Sequence, residues 1–283
     1  MTAITDEDNK TWLITGISSG FGKEMAEQLL AAGKTVIGTV RKPESVRDLR
    51  EQYPDTLDVQ LLDVTDVEAV YRVVDDAFHR HGRIDAIVNN AGYGLFGAAE
   101  ELTDEQVNQI LATDLVGSIQ VIRTALPHLR KQGSGIIIQI SSYGGQVAYP
   151  GNSMYHASKF GIEGFVESVA QEVKPFGIRA LIVEPGGART EFRYGSAHVA
   201  KLMPEYDGPT HSFLKMLDPA NGLAPGDPAK MAARIIESAG KPDTPLHLVL
   251  GSAALENTIH RLEDRLAEYR SETEIAKSTD VDE

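Results

Sequence analysis

The 283-residue sequence predicts an α/β fold, doubly wound around a seven-stranded parallel sheet, in a single domain. Three observations carry that expectation. Short apolar runs alternate with longer amphipathic segments from Thr11 to about Leu250, the first run opens into a glycine-rich turn, and a later run is followed by a Ser, a Tyr and a Lys at close spacing. Such alternation is the signature of repeated βα units, whose crossover helices cover both faces of a parallel sheet.

Strands are predicted at 11–15, 35–40, 57–61, 84–88, 135–141, 178–184 and 246–250. Each is a run rich in apolar residues, as a strand covered on both faces requires. Met25, Leu29 and Leu30 mark the first helix and Val70, Val73, Val74 and Ala77 the third, apolar at helical spacing. His79 and His81 close that third helix before Gly82, where a cationic side chain suits the dipole. Trp12 is expected to pack within the first strand. Two stretches break the alternation. Residues 187–226, with Met203, Phe213, Leu214, Met216 and Leu217 among Gly and Pro, are too irregular for one element and too apolar for a solvated linker, and read as a lid over an apolar pocket. After Gly251, Leu255, Ile259, Leu262 and Leu266 are spaced four, three and four along an otherwise charged helix, 252–270, expected to dock on the rim of the domain by that stripe, with partner contact as the alternative. The domain proper is 11–251; residues 1–10 form a polar tail and 271–283 a mobile acidic one.

Composition narrows the function. A net charge of −14 disfavours a nucleic-acid or anionic-membrane surface. Cysteine is absent, which removes disulfides, thiolate nucleophiles and Cys-based metal sites, and the eight histidines form no metal-ligand spacing. With no signal-like start and no long apolar run, a soluble cytoplasmic protein is expected.

The turn Thr15–Gly16–Ile17–Ser18–Ser19–Gly20–Phe21–Gly22 follows a predicted strand and opens a predicted helix, the context of a dinucleotide-binding turn. Gly16 permits the tight turn, Gly20 lets backbone approach a pyrophosphate, and Gly22 permits close helix packing; free N–H groups of the helix start then face the phosphates. The acidic position that would bond the adenosine ribose in an NAD site falls on Val40, and Arg41 and Lys42 follow it directly. A guanidinium suits a 2′-phosphate, so NADP is favoured over NAD. Ser142 ends the fifth predicted strand, at the carboxyl edge where open α/β sheets bind ligands. Tyr155 and Lys159 follow one helical turn apart, on one face. Ser142 would bond a substrate oxygen, Tyr155 would exchange the proton, and Lys159 would hold the nicotinamide ribose and lower the phenol pKa. His156 points about 100° around the helix, off the reacting face. Asp207, His211 and Asp218 in the lid are expected to be ordinary loop residues.

Across 11–250 the chain resembles the short-chain dehydrogenase/reductase family, with a doubly wound Rossmann fold, in its glycine turn, Asp63 with Val64, Asn89–Asn90–Ala91–Gly92, the Ser142, Tyr155 and Lys159 core, and Pro185–Gly186 with Thr190. The resemblance implies cofactor contacts from Gly16, Ser18, Ser19, Gly20, Phe21, Gly22, Arg41, Asp63, Val64, Asn90, Ala91, Gly92, Tyr155, Lys159, Pro185, Gly186, Ala188 and Thr190, and a homodimer or homotetramer. It also implies a proton relay through an Asn that here is Asp114, acting either by its backbone carbonyl or by its side chain. The expected function is an NADP-dependent oxidoreductase interconverting a secondary alcohol and a ketone or aldehyde, on a bulky hydrophobic substrate. The alternatives are an NAD-dependent dehydrogenase, a non-catalytic NADP(H) sensor or scaffold, and epimerase or dehydratase chemistry with a retained nicotinamide.

Overall fold

A computed structural model describes residues 11–281, the side chains of Arg193, Tyr194 and Met216 excepted. The tail expected at 1–10 and the lid side chain of Met216 lie outside these described residues. In chain order the elements are β1 (Thr11–Thr15), α1 (Gly20–Ala31), β2 (Thr35–Val40), α2 (Arg47–Gln52), β3 (Leu57–Leu61), α3 (Val67–His81), β4 (Ala86–Asn89), β5 (Leu95–Phe96), α4 (Asp104–Ile110) and α5 (Ser118–Gln132). There follow β6 (Gly135–Ile140), α6 (Ser153–Val173), β7 (Ile178–Pro185), α7 (Glu191–Tyr194), β8 (His198–Val199), α8 (Pro209–Ser212), α9 (Pro228–Gly240), β9 (His247–Leu250), α10 (Ser252–Ser271) and α11 (Thr273–Lys277).

Seven strands form one sheet in the order β3-β2-β1-β4-β6-β7-β9, each neighbouring pair parallel. The order reverses between β1 and β4, which opens a crevice at their carboxyl ends. The pleat divides the core. Trp12, Ile14, Val88 and Ile138 pack with Met25, Leu29 and Ile235 of α1 and α9 on one face. Leu13, Ile87 and Ile137 pack with Val70, Ile122 and Ile162 of α3, α5 and α6 on the other. Each fully buried Ile or Leu of this kind stabilises the fold by about 1.5–3 kcal/mol relative to exposure.

Local chemistry sets the helix ends. Asp66 caps α3 by accepting from the Ala69 N–H at 3.0 Å, Asp227 caps α9 by accepting from Lys230 at 3.1 Å, and Gly82, at φ +70°, lets the chain leave α3. Between α4 and α5 the helix does not break but widens into a π-helical stretch, Leu111–Gly117, with Asp114 buried inside it. Such insertions in a helix cluster at functional sites.

Three features differ from the sequence expectation. A two-stranded parallel ladder, β5 with β8, ties the lid to the body, unforeseen because each strand is two residues long. And α10 docks by another face: Leu255, Ile259, Leu262 and Leu266 are all exposed, while Ala254 and Thr258 are buried. The cause is a close approach, since a Cβ on Gly186 would lie 2.9 Å from the Ala254 Cβ. Only a small residue fits there, so Ala254 rather than the leucine stripe turns inward. Part of the segment read as an acidic tail forms the exposed α11. Among the described residues no helix is long and apolar enough to cross a membrane.

Candidate active site

A cavity of about 860 Å³ runs along the carboxyl edge of the sheet. At one end it is lined by Thr39, Val40, Arg41, Leu62, Asp63 and Val64, beyond β2 and β3. Next come Gly16, Ser18, Ser19, Gly20 and Phe21, where β1 turns into α1. Gly16 at φ +74° and Gly20 at φ +58° hold the left-handed backbone this turn needs. Gly22 is absent from the wall and serves packing, as a Cβ there would come within 2.3 Å of the Gly16 carbonyl oxygen. Asn90 clamps the turn from β4, its Nδ2 donating to the carbonyls of Thr15 at 3.0 Å and Gly16 at 2.9 Å. The Asn90 and Ala91 N–H groups donate to Thr15 Oγ1. Ser19, the residue before α1, makes no side-chain cap, so the first N–H groups of α1 are left for an anionic ligand. The volume, the left-handed glycine turn and the uncapped start of α1 fit a dinucleotide.

Ser142, Tyr155 and Lys159 meet at the other end, with Asn90, Ala91, Gly92, Pro185, Gly186, Ala188 and Thr190 around them. β6 delivers Ser142; its Oγ accepts from the Gly144 N–H at 3.0 Å and bonds the Tyr155 phenol. Tyr155 and Lys159 are one turn apart on α6, 8% and 5% exposed. The Lys159 ammonium donates to the Ile140 carbonyl at 3.4 Å and lies 3.3 Å from Asp114 Oδ2, an ion pair whose alignment falls short of a hydrogen bond. Asp114 is not on the cavity wall. It stands behind Lys159, and its Oδ1 accepts from the Tyr93 N–H at 3.1 Å.

The electrostatics depart from the sequence expectation at Tyr155. Burial pushes the phenol above its usual range; Lys159 and the Ser142 bond pull down without reversing it, and the Asp114 and Tyr143 groups push up again. The pull of Lys159 exceeds the push of Asp114 but does not overcome burial. Lys159 itself is held above the ordinary lysine range, burial opposing and Asp114 with Tyr155 prevailing. Burial pushes Asp114 up against the pull of Lys159 and the Tyr93 amide.

His156 is off the wall, as its position on the helix predicted, but it is buried and structural. Its Nε2 accepts from the Tyr149 N–H at 3.3 Å, so Nδ1 carries the proton donated to the Gly144 carbonyl at 2.7 Å. Burial lowers its pKa and keeps it neutral, bracing the loop after Ser142. Sequence reading also missed Phe96, Tyr149 and Phe192 on the wall, whose aromatic character carries no spacing signal. From the lid, Phe213, Leu217 and Leu223 reach the cavity, with the Phe213 ring 5.4 Å from Phe96 and 5.3 Å from Tyr149. Asp207, His211 and Asp218 do not. His211 instead bridges Glu101 Oε1 at 2.8 Å and Asp207 at 2.9 Å, tying lid to body. Charged side chains among the described lining residues are Arg41, Asp63 and Lys159.

Residues 10–198 match the short chain dehydrogenase family. The chain is 36% identical to oxidoreductase BOA17 of Botryotinia fuckeliana over 87% of its own length and 90% of that protein's. A solved short-chain dehydrogenase from Streptomyces avermitilis is 41% identical, superposes with a TM-score of 0.91, and is covered to 99% by 96% of this chain. ElxO, solved with NADP bound, is 26% identical with a TM-score of 0.72 over 88% of this chain and 99% of its own. A Burkholderia phymatum protein solved with NAD, 18% identical with a TM-score of 0.80 over 95% of this chain and 97% of its own, shares the fold.

Proposed function

The chain belongs to the short-chain dehydrogenase/reductase family of oxidoreductases, and from that premise we propose that it uses NADP to interconvert a secondary alcohol and a ketone or aldehyde on a bulky, uncharged, apolar substrate. One observation carries the proposal: Ser142, Tyr155 and Lys159 line the same cavity as the glycine turn at the start of α1.

When bound, the nicotinamide cofactor supplies or accepts a hydride, and the chain's own residues do the rest. The turn at Gly16–Phe21 and the α1 N-terminus hold the phosphates. Arg41, exposed on the wall without an acidic residue in the Val40 position, takes a 2′-phosphate. Asp63 and Val64 flank the adenine, while Asn90, Ala91, Gly92, Pro185, Gly186, Ala188 and Thr190 seat the nicotinamide half. Lys159 holds the ribose. Ser142 donates to the substrate oxygen and Tyr155 transfers the proton there, as general acid in reduction and general base in oxidation. A phenol pushed upward by burial keeps its proton at neutral pH, which favours carbonyl reduction. Gly22 acts through packing, and Asp114 through Lys159.

The substrate end supports the apolar class. Phe96, Tyr149, Phe192, Phe213, Leu217 and Leu223 surround it, and no carboxylate, lysine or arginine among the described lining residues stands there besides Lys159. An anionic substrate would find no cation among them that is not already paired, since Lys159 faces Asp114. The test is NADPH and NADH oxidation against a panel of neutral ketones and matched carboxylated analogues. Faster turnover with NADPH and neutral, ring-bearing ketones is expected; saturable NADPH binding with no turnover of any carbonyl would instead make the protein a sensor.

A further inference from the structure

We propose that Glu163 is a positioning residue for the reaction at Ser142 and Tyr155, its buried carboxyl fastening both ends of the Ser142 turn to the helix that carries Tyr155 and Lys159. This rests on the catalytic reading above.

Tyr155, Lys159 and Glu163 sit at i, i+4 and i+8 of α6, one stripe along the helix. The first two face the cavity; Glu163 continues the stripe into the interior, 2% exposed and off the cavity wall. One carboxyl oxygen accepts from the Ser141 hydroxyl, and the other accepts from Gln146 Nε2 at 2.5 Å. Ser141 immediately precedes Ser142, and Gln146 closes the short turn Tyr143–Gly145 that follows it. The carboxyl therefore holds the chain on both sides of Ser142. The turn is shaped to admit it: a Cβ on Gly145 would lie 1.9 Å from Glu163 Oε1. Burying a carboxyl is costly, and a well-packed apolar residue would serve a merely structural position as well or better.

Its surroundings are ionisable on every side. Glu184 of β7, His247 of β9 and Glu163 bring ligand atoms within 4.8 Å of one another. His247 Nδ1 is 2.6 Å from Glu184, its Nε2 is 3.6 Å from Glu167 of α6, Lys159 is one turn back, and Arg265 of α10 donates to the Gln146 carbonyl at 3.3 Å. Burial, with the Glu184 charge adding to it, pushes Glu163 up to about 7. As a carboxylate it accepts both bonds. As an acid it keeps the tie by donating to the Ser141 oxygen or, after the amide rotates, to that of Gln146. A glutamine at this position has the same two capacities and no charge.

The test uses the full-length protein, with hydrogen exchange at the amides of residues 142–146 alongside kcat, KM and NADPH affinity from pH 5.5 to 9. Glu163→Ala should speed exchange in that segment and lower kcat at least tenfold, with NADPH affinity within twofold of wild type. Glu163→Gln should restore exchange and bring kcat back to within threefold, while erasing any kcat step near pH 7. The double variant Ser141→Ala with Gln146→Leu, which leaves the carboxyl in place, should reproduce the alanine loss and decides the matter if Glu163→Ala does not fold. Unchanged exchange with kcat within twofold, or a glutamine variant as impaired as the alanine one, overturns the proposal. If the wild type binds NADPH but reduces no carbonyl, the catalytic reading fails on its own, and exchange at 142–146 still reports whether Glu163 holds the turn.

Discussion

Asp114 and Lys159 form an ion pair in the interior behind the cavity, Oδ2 to Nζ 3.3 Å, with side chains 0% and 6% exposed. The π-helical stretch Leu111–Gly117 brings the carboxylate there, and the Tyr93 amide fixes its other oxygen. Asp114→Asn keeps an acceptor for that amide but strips the counter-charge from a buried ammonium. Removing one partner of a buried pair costs roughly 3–5 kcal/mol. The expected result is a lower Tm and an alkaline limb of the kcat profile moved to lower pH, as Lys159 loses the carboxylate that keeps it charged. A profile superimposable on wild type would mean that position 114 acts through its backbone alone.

Tyr155→Phe removes the proton donor and leaves the ring packing against Phe96 and Phe192 intact. General acid–base groups contribute about 10²- to 10⁴-fold, so kcat should fall by that order while NADPH affinity stays within twofold. Because burial holds the phenol above its usual range, wild-type reduction should stay level through neutral pH and oxidation should gain rate toward alkaline pH. Initial rates in both directions from pH 6 to 10 check this; a reduction rate already falling at pH 7 would contradict the placement of the proton.

Arg41→Ala should weaken NADPH binding about ten- to a hundredfold, the worth of a hydrogen bond to a charged group, and leave NADH within twofold. Fluorescence titration with the two cofactors reads the ratio. Equal losses would show that Arg41 is only a solvated charge at the cavity mouth.

The raised carboxyl of Glu163 also predicts a stability slope. Its ordinary value is 4.5 and its folded value about 7, so the native state holds the proton that the unfolded chain has released. Its contribution is complete below pH 4.5 and is lost as pH rises toward about 7, on the order of 3 kcal/mol across that window. Urea unfolding at intervals from pH 4.5 to 7.5 should show this slope in wild type and a flatter one in Glu163→Gln. Equal slopes would assign the proton to another group of the cluster.

What was legible in the sequence were features with a period or a fixed spacing. The seven main strands fell within two residues of their places because parallel strands are continuous apolar runs, and Ser142, Tyr155 and Lys159 met because a strand end and one helical turn define where they go. Legibility failed where the outcome depended on a contact between distant segments. Nothing near Ala254 in the sequence reveals that Gly186 admits it closely, so the stripe of Leu255, Ile259, Leu262 and Leu266 points to the wrong docking face. Nothing near Tyr155 in the sequence shows how deeply the fold buries its phenol, so the Lys159 spacing points to a lowered pKa where burial raises it. The lid is legible in composition, but its attachment through Glu101 and the β5–β8 ladder depends on residues about 100 positions apart.

That attachment yields the last prediction. Glu101, buried in the body, accepts from the Ala98 and Met203 N–H groups, both at 2.6 Å, and from His211, whose other ring nitrogen meets Asp207. The Asp207 bond, then the Glu101 bond and charge, raise the His211 pKa, with burial opposing. The doubly bonded imidazolium is thus the latched form. With the folded pKa raised, the latch is complete below the ordinary histidine range near 6.5 and is lost as pH climbs through the higher folded value. Phe213 and Leu217 follow His211 closely and reach the cavity, so an unlatched lid gives up apolar contacts with the substrate before it disturbs Tyr155. KM for an apolar ketone should rise in the alkaline range in wild type. His211→Ala should raise KM about threefold or more at neutral pH, the worth of roughly one buried methylene, with kcat and NADPH affinity nearly unchanged and no further pH step. A His211→Ala enzyme with wild-type KM across the range would show that the lid is held without this histidine.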